Sequence, residues 1–271
     1  MSDLVIALHG TRSRQGTHAA EELRRAVAGR LPDTEVVTGF VDVHDMRLAD
    51  VVAAREDCVV VPAFLTAGYH VDNDIPAALE NAGGRAVATA HLGGELVGAL
   101  ADRLREAGGP GDAVVLASIG SSRPESNTEV HEVARALQQV IGVPVRVGFM
   151  YAATPRVTQA VSRLRSEGYL RVSVAVHALA QGRYQEILDG LGADVVAGPI
   201  GVHPTLIDLI VSRYREALGS SRLGIHRRLA MPSSTSPSPK LKLVSGSVSD
   251  ATGFGVLPNS SRSRRACSSV T

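Results

Sequence analysis

Short unbroken apolar runs alternate along this chain with amphipathic stretches. Leu4–Leu8, Glu35–Val43, Cys58–Ala63 and Arg85–Ala90 are of strand length and rich in Val and Ala. After each comes a segment whose apolar residues recur every three or four positions: Thr17–Arg30, with Leu23, Val27 and Leu31 marking one face, then Leu48–Ala54, Asp74–Asn81 and Glu95–Ala107. That recurrence predicts helices. Thr17 is placed to cap the first, and Pro76 falls in the first turn of the third, where its missing N–H costs nothing. Strand–helix alternation at this spacing predicts a parallel sheet covered on both faces.

Gly108-Gly-Pro-Gly111 breaks the pattern, and after it the pattern restarts. Leu4-Val-Ile-Ala-Leu-His-Gly10 returns as Val114-Val-Leu-Ala-Ser-Ile-Gly120, Gly39-Phe40 as Gly148-Phe149, and Val59 to His70 loosely as Ser173 to Tyr184. The expected fold is α/β: two similar lobes, each a four-stranded parallel sheet flanked by helices. Residues 1–108 form the first lobe and 112–218 a degenerate repeat. Ile119 stands at the His9 position, Tyr151 opposite Asp42 and Tyr184 at the His70 position, so one set of candidate ligands survives and the second lobe shapes a cleft wall. Two lobes in one chain imitate a dimer, which suggests a monomer. From Gly219 the periodicity stops. Residues 219–271 hold a Ser/Pro-rich stretch, Pro232–Pro239, and both lysines of the chain. Such a segment buries too little apolar surface to offset its ordering entropy, and a disordered tail is expected.

Composition narrows the partners. Apolar residues make up 44% of the chain, enough for a sizeable core, while aromatics are 3% and Trp is absent, which weakens any reading that needs an aromatic base-stacking platform. The tail holds eight Lys/Arg against one acid, which leaves the body of this +1 chain with an acidic excess of six. An acidic body argues against nucleic-acid binding. No run reaches the roughly 18 apolar residues of a membrane span, and the first residues enter a strand without a basic leader. A soluble, cytoplasmic protein is the expectation. Cys58 reads as a small buried hydrophobe and Cys267 lies in the tail, so no disulfide framework is expected.

The chemistry gathers at one sheet edge. In parallel α/β sheets ligands bind outside the carboxyl ends of the strands. His9 follows the first strand, Asp42 ends the second and His70 lies in the loop after the third. With the first strand between the other two, all three converge. Two imidazoles and a carboxylate suit Fe²⁺, Co²⁺, Ni²⁺ or Zn²⁺, and three ligands leave positions open for chemistry. His44 shares the strand parity of Asp42 and is the alternative third ligand. Helix N-termini on this edge favour anions, and Thr11, Arg12, Ser13 and Arg14 beside His9, with Ser121, Ser122 and Arg123 in the second lobe, add donors for carboxylates. Asp72 and Asp74 read as helix caps. His18, His131 and His226 read as exposed; His91, His177 and His203 have no partner legible in the sequence.

His9-Gly-Thr-Arg12, Pro62-Ala-Phe-Leu-Thr-Ala-Gly-Tyr-His70 with Asp74-Ile-Pro76, and Gly198-Pro-Ile-Gly-Val-His203-Pro204 together resemble the class II chelatases, the cobalt and sirohydrochlorin chelatase family. The resemblance covers about residues 3–218. It implies insertion of Fe²⁺ or Co²⁺ into the tetrapyrrole sirohydrochlorin without ATP, with His9 and His70 holding the metal. The metal is then a substrate, and no cofactor is expected beyond it. Where such proteins usually carry Glu at the end of the second strand, this chain has Asp42. Their first-half Gly-x-His-Pro is replaced by Ala90-His-Leu-Gly-Gly-Glu95. The substrate is expected in the cleft between lobes. Iron, giving siroheme, is the favoured metal, cobalt the alternative; a metal or tetrapyrrole carrier without turnover is a third reading. A histidine phosphatase would want Arg before His9, where Leu8 stands, and no Gly-x-Gly-x-x-Gly or Walker sequence follows a strand.

Overall fold

The computed structural model describes residues 2–222. In the first half, β1 (Asp3–Leu8), α1 (Arg14–Ala28), β2 (Val36–Phe40), α2 (Leu48–Ala53), β3 (Cys58–Pro62), α3 (Ile75–Asn81), β4 (Ala86–Ala88) and α4 (Val97–Glu106) follow in order. A wide π-helical turn at His70–Asp74 leads into α3, and a 3₁₀ turn at Gly93–Leu96 leads into α4. The second half repeats the series as β5 (Ala113–Ser118), α5 (Pro124–Ile141), β6 (Val145–Phe149), α6 (Val157–Ser166), β7 (Val172–His177), α7 (Gln185–Asp189), β8 (Val195–Val196) and α8 (Pro204–Arg222). Thus Gly219–Arg222, assigned from sequence to the tail, continue a helix. The rest of the expected tail, with His226 and Cys267, lies outside the described residues.

Both sheets are parallel, ordered β2-β1-β3-β4 and β6-β5-β7-β8. The first strand of each half sits between the second and third, as convergence of the three candidate ligands requires. Alternate residues of β1 and β3 enter different cores because successive side chains point to opposite faces. Leu4, Ile6, Val59 and Val61 join one cluster; Val5, Ala7, Cys58 and Val60 join another against Leu48 and Val52 of α2 and Ile75 and Ala78 of α3. Burial on both faces is why the strands read as continuous apolar runs.

The first of these clusters is shared between the halves. It combines Leu4 and Ile6 of one sheet with Val114 and Leu116 of the other, and draws side chains from α1, α4, α5 and α8. Four helices therefore fill the layer between the sheets, with α2 and α3 outside one and α6 and α7 outside the other. Within that layer the last helices are exchanged. α4, from the first half, packs on β7, and α8, from the second, packs on β3 and α1. Leu100 and Leu104 of α4 and Ile210 and Tyr214 of α8 are at most 1% exposed. At about 2 kcal/mol per fully buried large apolar side chain, these four alone contribute several kcal/mol that neither half has by itself. Polar contacts reinforce the exchange: Arg103 donates to Ile200 O at 2.7 Å, His203 Nε2 lies 3.3 Å from Asp102, and the Tyr214 hydroxyl donates to Ser2 O at 2.5 Å. The repeats at 1–108 and 112–218 are units of sequence whose cores are completed by each other.

No helix among the described residues is long and apolar enough to cross a membrane. Cys58 is buried, and burial pushes its thiol up to about 11, so it is held as an unreactive neutral group.

Candidate metal centre

Backbone geometry at the ends of β1 and β2 sets the first two candidate ligands side by side. The parallel pairing runs on past the strands as single hydrogen bonds: Val41 N–H donates to Leu8 O at 3.0 Å and Asp42 N–H to His9 O at 2.9 Å. Gly10 makes the close approach possible. Its φ is +104°, and a Cβ there would lie 1.9 Å from the Asp42 carbonyl oxygen. Only glycine takes that backbone conformation without strain, and only glycine leaves room for it. Val43, next along, is held at φ +43°, an unusual angle for a β-branched residue, with its N–H on Asp42 Oδ1 at 2.8 Å. The chain is thus bent sharply where the carboxylate is presented.

His70 arrives from the third strand on the first turn of the π-helical segment. Its Nδ1 lies 2.5 Å from Asp74 Oδ2, four residues on. A carboxylate can only accept, so the proton is assigned to Nδ1 and the Nε2 lone pair is free. The His9 and His70 rings meet edge-on with centroids 4.7 Å apart. Metal-capable atoms of His9, Asp42 and His70 all lie within 4.8 Å of one another. Atoms bound to one first-row ion at about 2.1 Å stand roughly 3–3.5 Å apart, so small side-chain rotations suffice to close the set. His9 and Asp42 are exposed and His70 half-buried, so the cluster is open to solvent.

The remaining residues singled out by sequence are spread more widely. Asp74 does not cap α3 by side-chain hydrogen bond; it orients His70, and its i, i+4 spacing from that histidine was the available signal. Asp72 pairs with Arg123 at 2.6 Å. This ties up the arginine expected to hold substrate. Thr11 Oγ1 accepts Ser13 N–H and Ser121 Oγ accepts Arg123 N–H, the same turn in both halves. These two hydroxyls shape the entries to α1 and α5. Arg12, Arg14 and Ser122 are exposed. His44 stacks on Phe40, with ring centroids 3.9 Å apart, and accepts Met46 N–H through Nδ1, outside the cluster. The three histidines without a legible partner each have one: His91 reaches Glu129 at 3.0 Å, His203 reaches Asp102, and buried His177 meets Ser118 Oγ at 3.3 Å. Those partners are distant in sequence, so no local pattern announces them.

In the second half the same backbone carries different groups. Met150 N–H donates to Ser118 O and Tyr151 N–H to Ile119 O, repeating the bonds of Val41 and Asp42. Ile119 and Tyr151 are exposed, whereas Tyr184 is buried with its hydroxyl on Ala180 O. Among the described residues the cluster of His9, Asp42 and His70 has no counterpart there. Beside the cluster, a groove of about 700 Å³ runs between α3 and the loop after β2. Arg12, Asp42, Asp45, Arg47, Asp50 and Asp74 are among its polar lining. Its lining residues all belong to the first half.

Comparison with known proteins follows the same division into halves. Residues 3–107 and again 113–217 match the family described as CbiX. Over 122 residues, 41% of this chain, it is 28% identical to a protein of Arabidopsis thaliana named sirohydrochlorin ferrochelatase, chloroplastic. Over 192 residues, 62% of this chain, it is 25% identical to the sirohydrochlorin cobaltochelatase of Priestia megaterium. The chain spans 54% and 63% of the lengths of these relatives. Its fold matches that of SirB from Bacillus subtilis, solved with Fe³⁺, at a TM-score of 0.69 and 23% identity, covering 82% of this chain and 98% of that one.

Proposed function

The chain belongs to the CbiX family, and from that premise we propose that it inserts a divalent metal ion into sirohydrochlorin. The observation that carries this reading is the meeting of His9, Asp42 and His70 within 4.8 Å at the carboxyl edge of the first sheet. Two imidazoles and one carboxylate on one side of an ion leave the opposite positions for the ring nitrogens of a macrocycle. The Asp74 carboxylate engages Nδ1 of His70 and so leaves Nε2 as the nitrogen that would take the ion, the kind of outer hydrogen bond that fixes a ligand's tautomer and direction. As the metal passes to the tetrapyrrole, two pyrrole N–H protons must leave. An imidazole that has released the ion is a neutral base beside them, and Asp42 is a second acceptor. The exposed Arg12 and Arg14 are placed for the acidic side chains of the substrate.

Fe²⁺ is the first metal proposed, giving siroheme, because two histidines and a carboxylate with open positions are a ligand set that Fe²⁺ favours. Co²⁺ accepts the same ligands, and the relatives include one protein named for each metal. The test is a multiple-turnover assay of Fe²⁺, Co²⁺ and Ni²⁺ insertion, followed by the absorbance of the macrocycle. Turnover with at least one metal is expected, falling by about 100-fold or more in His9→Ala and in His70→Ala, the scale of effect expected when a proton-transfer group is lost. Spectral change that stops at one equivalent per chain would make the protein a carrier. Parent-like turnover in both variants would remove the proposed site.

A further inference from the structure

The loop that presents His70 is held by the half of the chain that lacks the histidines. Ala67 N–H donates to Glu129 Oε2 at 3.0 Å, and the Ala67 carbonyl accepts from Ser126 Oγ. On the other side of His70, Asp72 Oδ2 pairs with Arg123 Nη1 at 2.6 Å. Arg123, Ser126 and Glu129 are spaced by three along the first turns of α5, and so share one face. Glu129 is itself steadied by His91 Nε2 at 3.0 Å.

The internal repeat supplies a comparison. The offset that takes Gly10 to Gly120 places Ser13, Gly16 and Ala19 of the first half where Arg123, Ser126 and Glu129 stand in the second. Gly and Ala have no side chain to reach a neighbouring loop. The corresponding loop of the second half meets Gln15 through Gln181, and carries Tyr184 in place of a ligand. A three-residue grip is therefore present on the loop that holds a histidine, while its symmetric counterpart lacks those side chains.

We infer that Arg123, Ser126 and Glu129 are positioning residues for His70, so that the second half serves the metal centre by fixing a ligand. The inference rests on the reading of His70 as a metal ligand. Pinning the chain at Ala67 and at Asp72 orders the segment that carries His70 before the ion arrives, and an ordered ligand loses less freedom on binding.

The test is titration of the full-length apoprotein with Co²⁺, reading affinity together with the visible ligand-field band, which reports coordination geometry. Glu129→Ala is expected to bind Co²⁺ about 10-fold more weakly with an altered band, within the range seen when outer partners of metal ligands are removed. Glu129→Gln keeps an oxygen for Ala67 N–H and restores most of the affinity. Ser126→Ala removes one hydroxyl and no volume that the fold depends on, and is expected to lose affinity severalfold even if Glu129→Ala fails to fold. Gln181→Ala, at the symmetric contact, leaves affinity and band unchanged. Parent-like affinity and band in Ser126→Ala and Glu129→Ala, or an equal loss in Gln181→Ala, would overturn the positioning role alone. A parent protein that takes up no Co²⁺ would remove the metal-site reading and this inference with it.

Discussion

At the scale of single residues, the two halves put histidine to opposite uses. His70 is half-buried, with one ring nitrogen on Asp74 and its ring edge-on to that of His9. His177, at the end of the corresponding strand of the second half, is buried against Ser118, and burial lowers its pKa from 6.5 to about 4. A histidine kept neutral by the fold destabilises it in acid. Between pH 6.5 and 4 the unfolded chain holds a proton that the folded chain rejects, so stability falls as pH drops through that window and levels off below it. The shift corresponds to a loss of order 3 kcal/mol. His177→Gln is expected to flatten this part of the stability profile. Urea unfolding at pH 7 and pH 4.5 checks it: the parent loses more stability than the variant, and equal losses would contradict the assignment.

At the scale of elements, the strands were legible and the joints were not. Continuous runs such as Val59–Val61 announce strands because both faces of the sheet are covered, and no polar alternation obscures them. The start of α1 lies at Arg14 rather than Thr17, because Ser13 takes the capping position and Thr17 turns its hydroxyl back to the Ser13 carbonyl. β2 ends at Phe40 rather than Val43, since beyond it single hydrogen bonds replace the ladder while the chain bends to present Asp42. The π-helical turn was invisible, because no local apolar pattern marks His70–Asp74. Gly10 was legible as a turn but not as the residue that admits Asp42. Gly10→Ala would drive a Cβ into the Asp42 carbonyl at a φ of +104°. A loss of about 2–4 kcal/mol is expected, larger than strain alone because the clash is with backbone, and thermal unfolding with Co²⁺ titration reads both stability and site. Parent-like behaviour in both would contradict the role of Gly10 in admitting the Asp42 carbonyl.

At the scale of the whole molecule, the repeat is also a mutual dependence. The histidine and carboxylate positions could be read from the first half alone. The exchange of α4 and α8 could not, because amphipathic helices show that a face is buried and not which sheet buries it. A chain of residues 1–109 keeps β1, β3 and α1 but lacks α8, which packs on β3 and α1 from the second half. It is expected to self-associate or remain unfolded, as size-exclusion chromatography with circular dichroism would show, and a folded monomer of that fragment would contradict the exchange. The metal centre belongs to the same design, with ligands from one half and their support from the other. Its central claim is that two imidazoles distant in sequence share one ion. Anomalous diffraction at the cobalt edge from Co²⁺-soaked crystals tests this most directly. The account predicts one peak about 2.1 Å from a ring nitrogen of His9 and of His70; a cobalt site that leaves either imidazole unbound would contradict it.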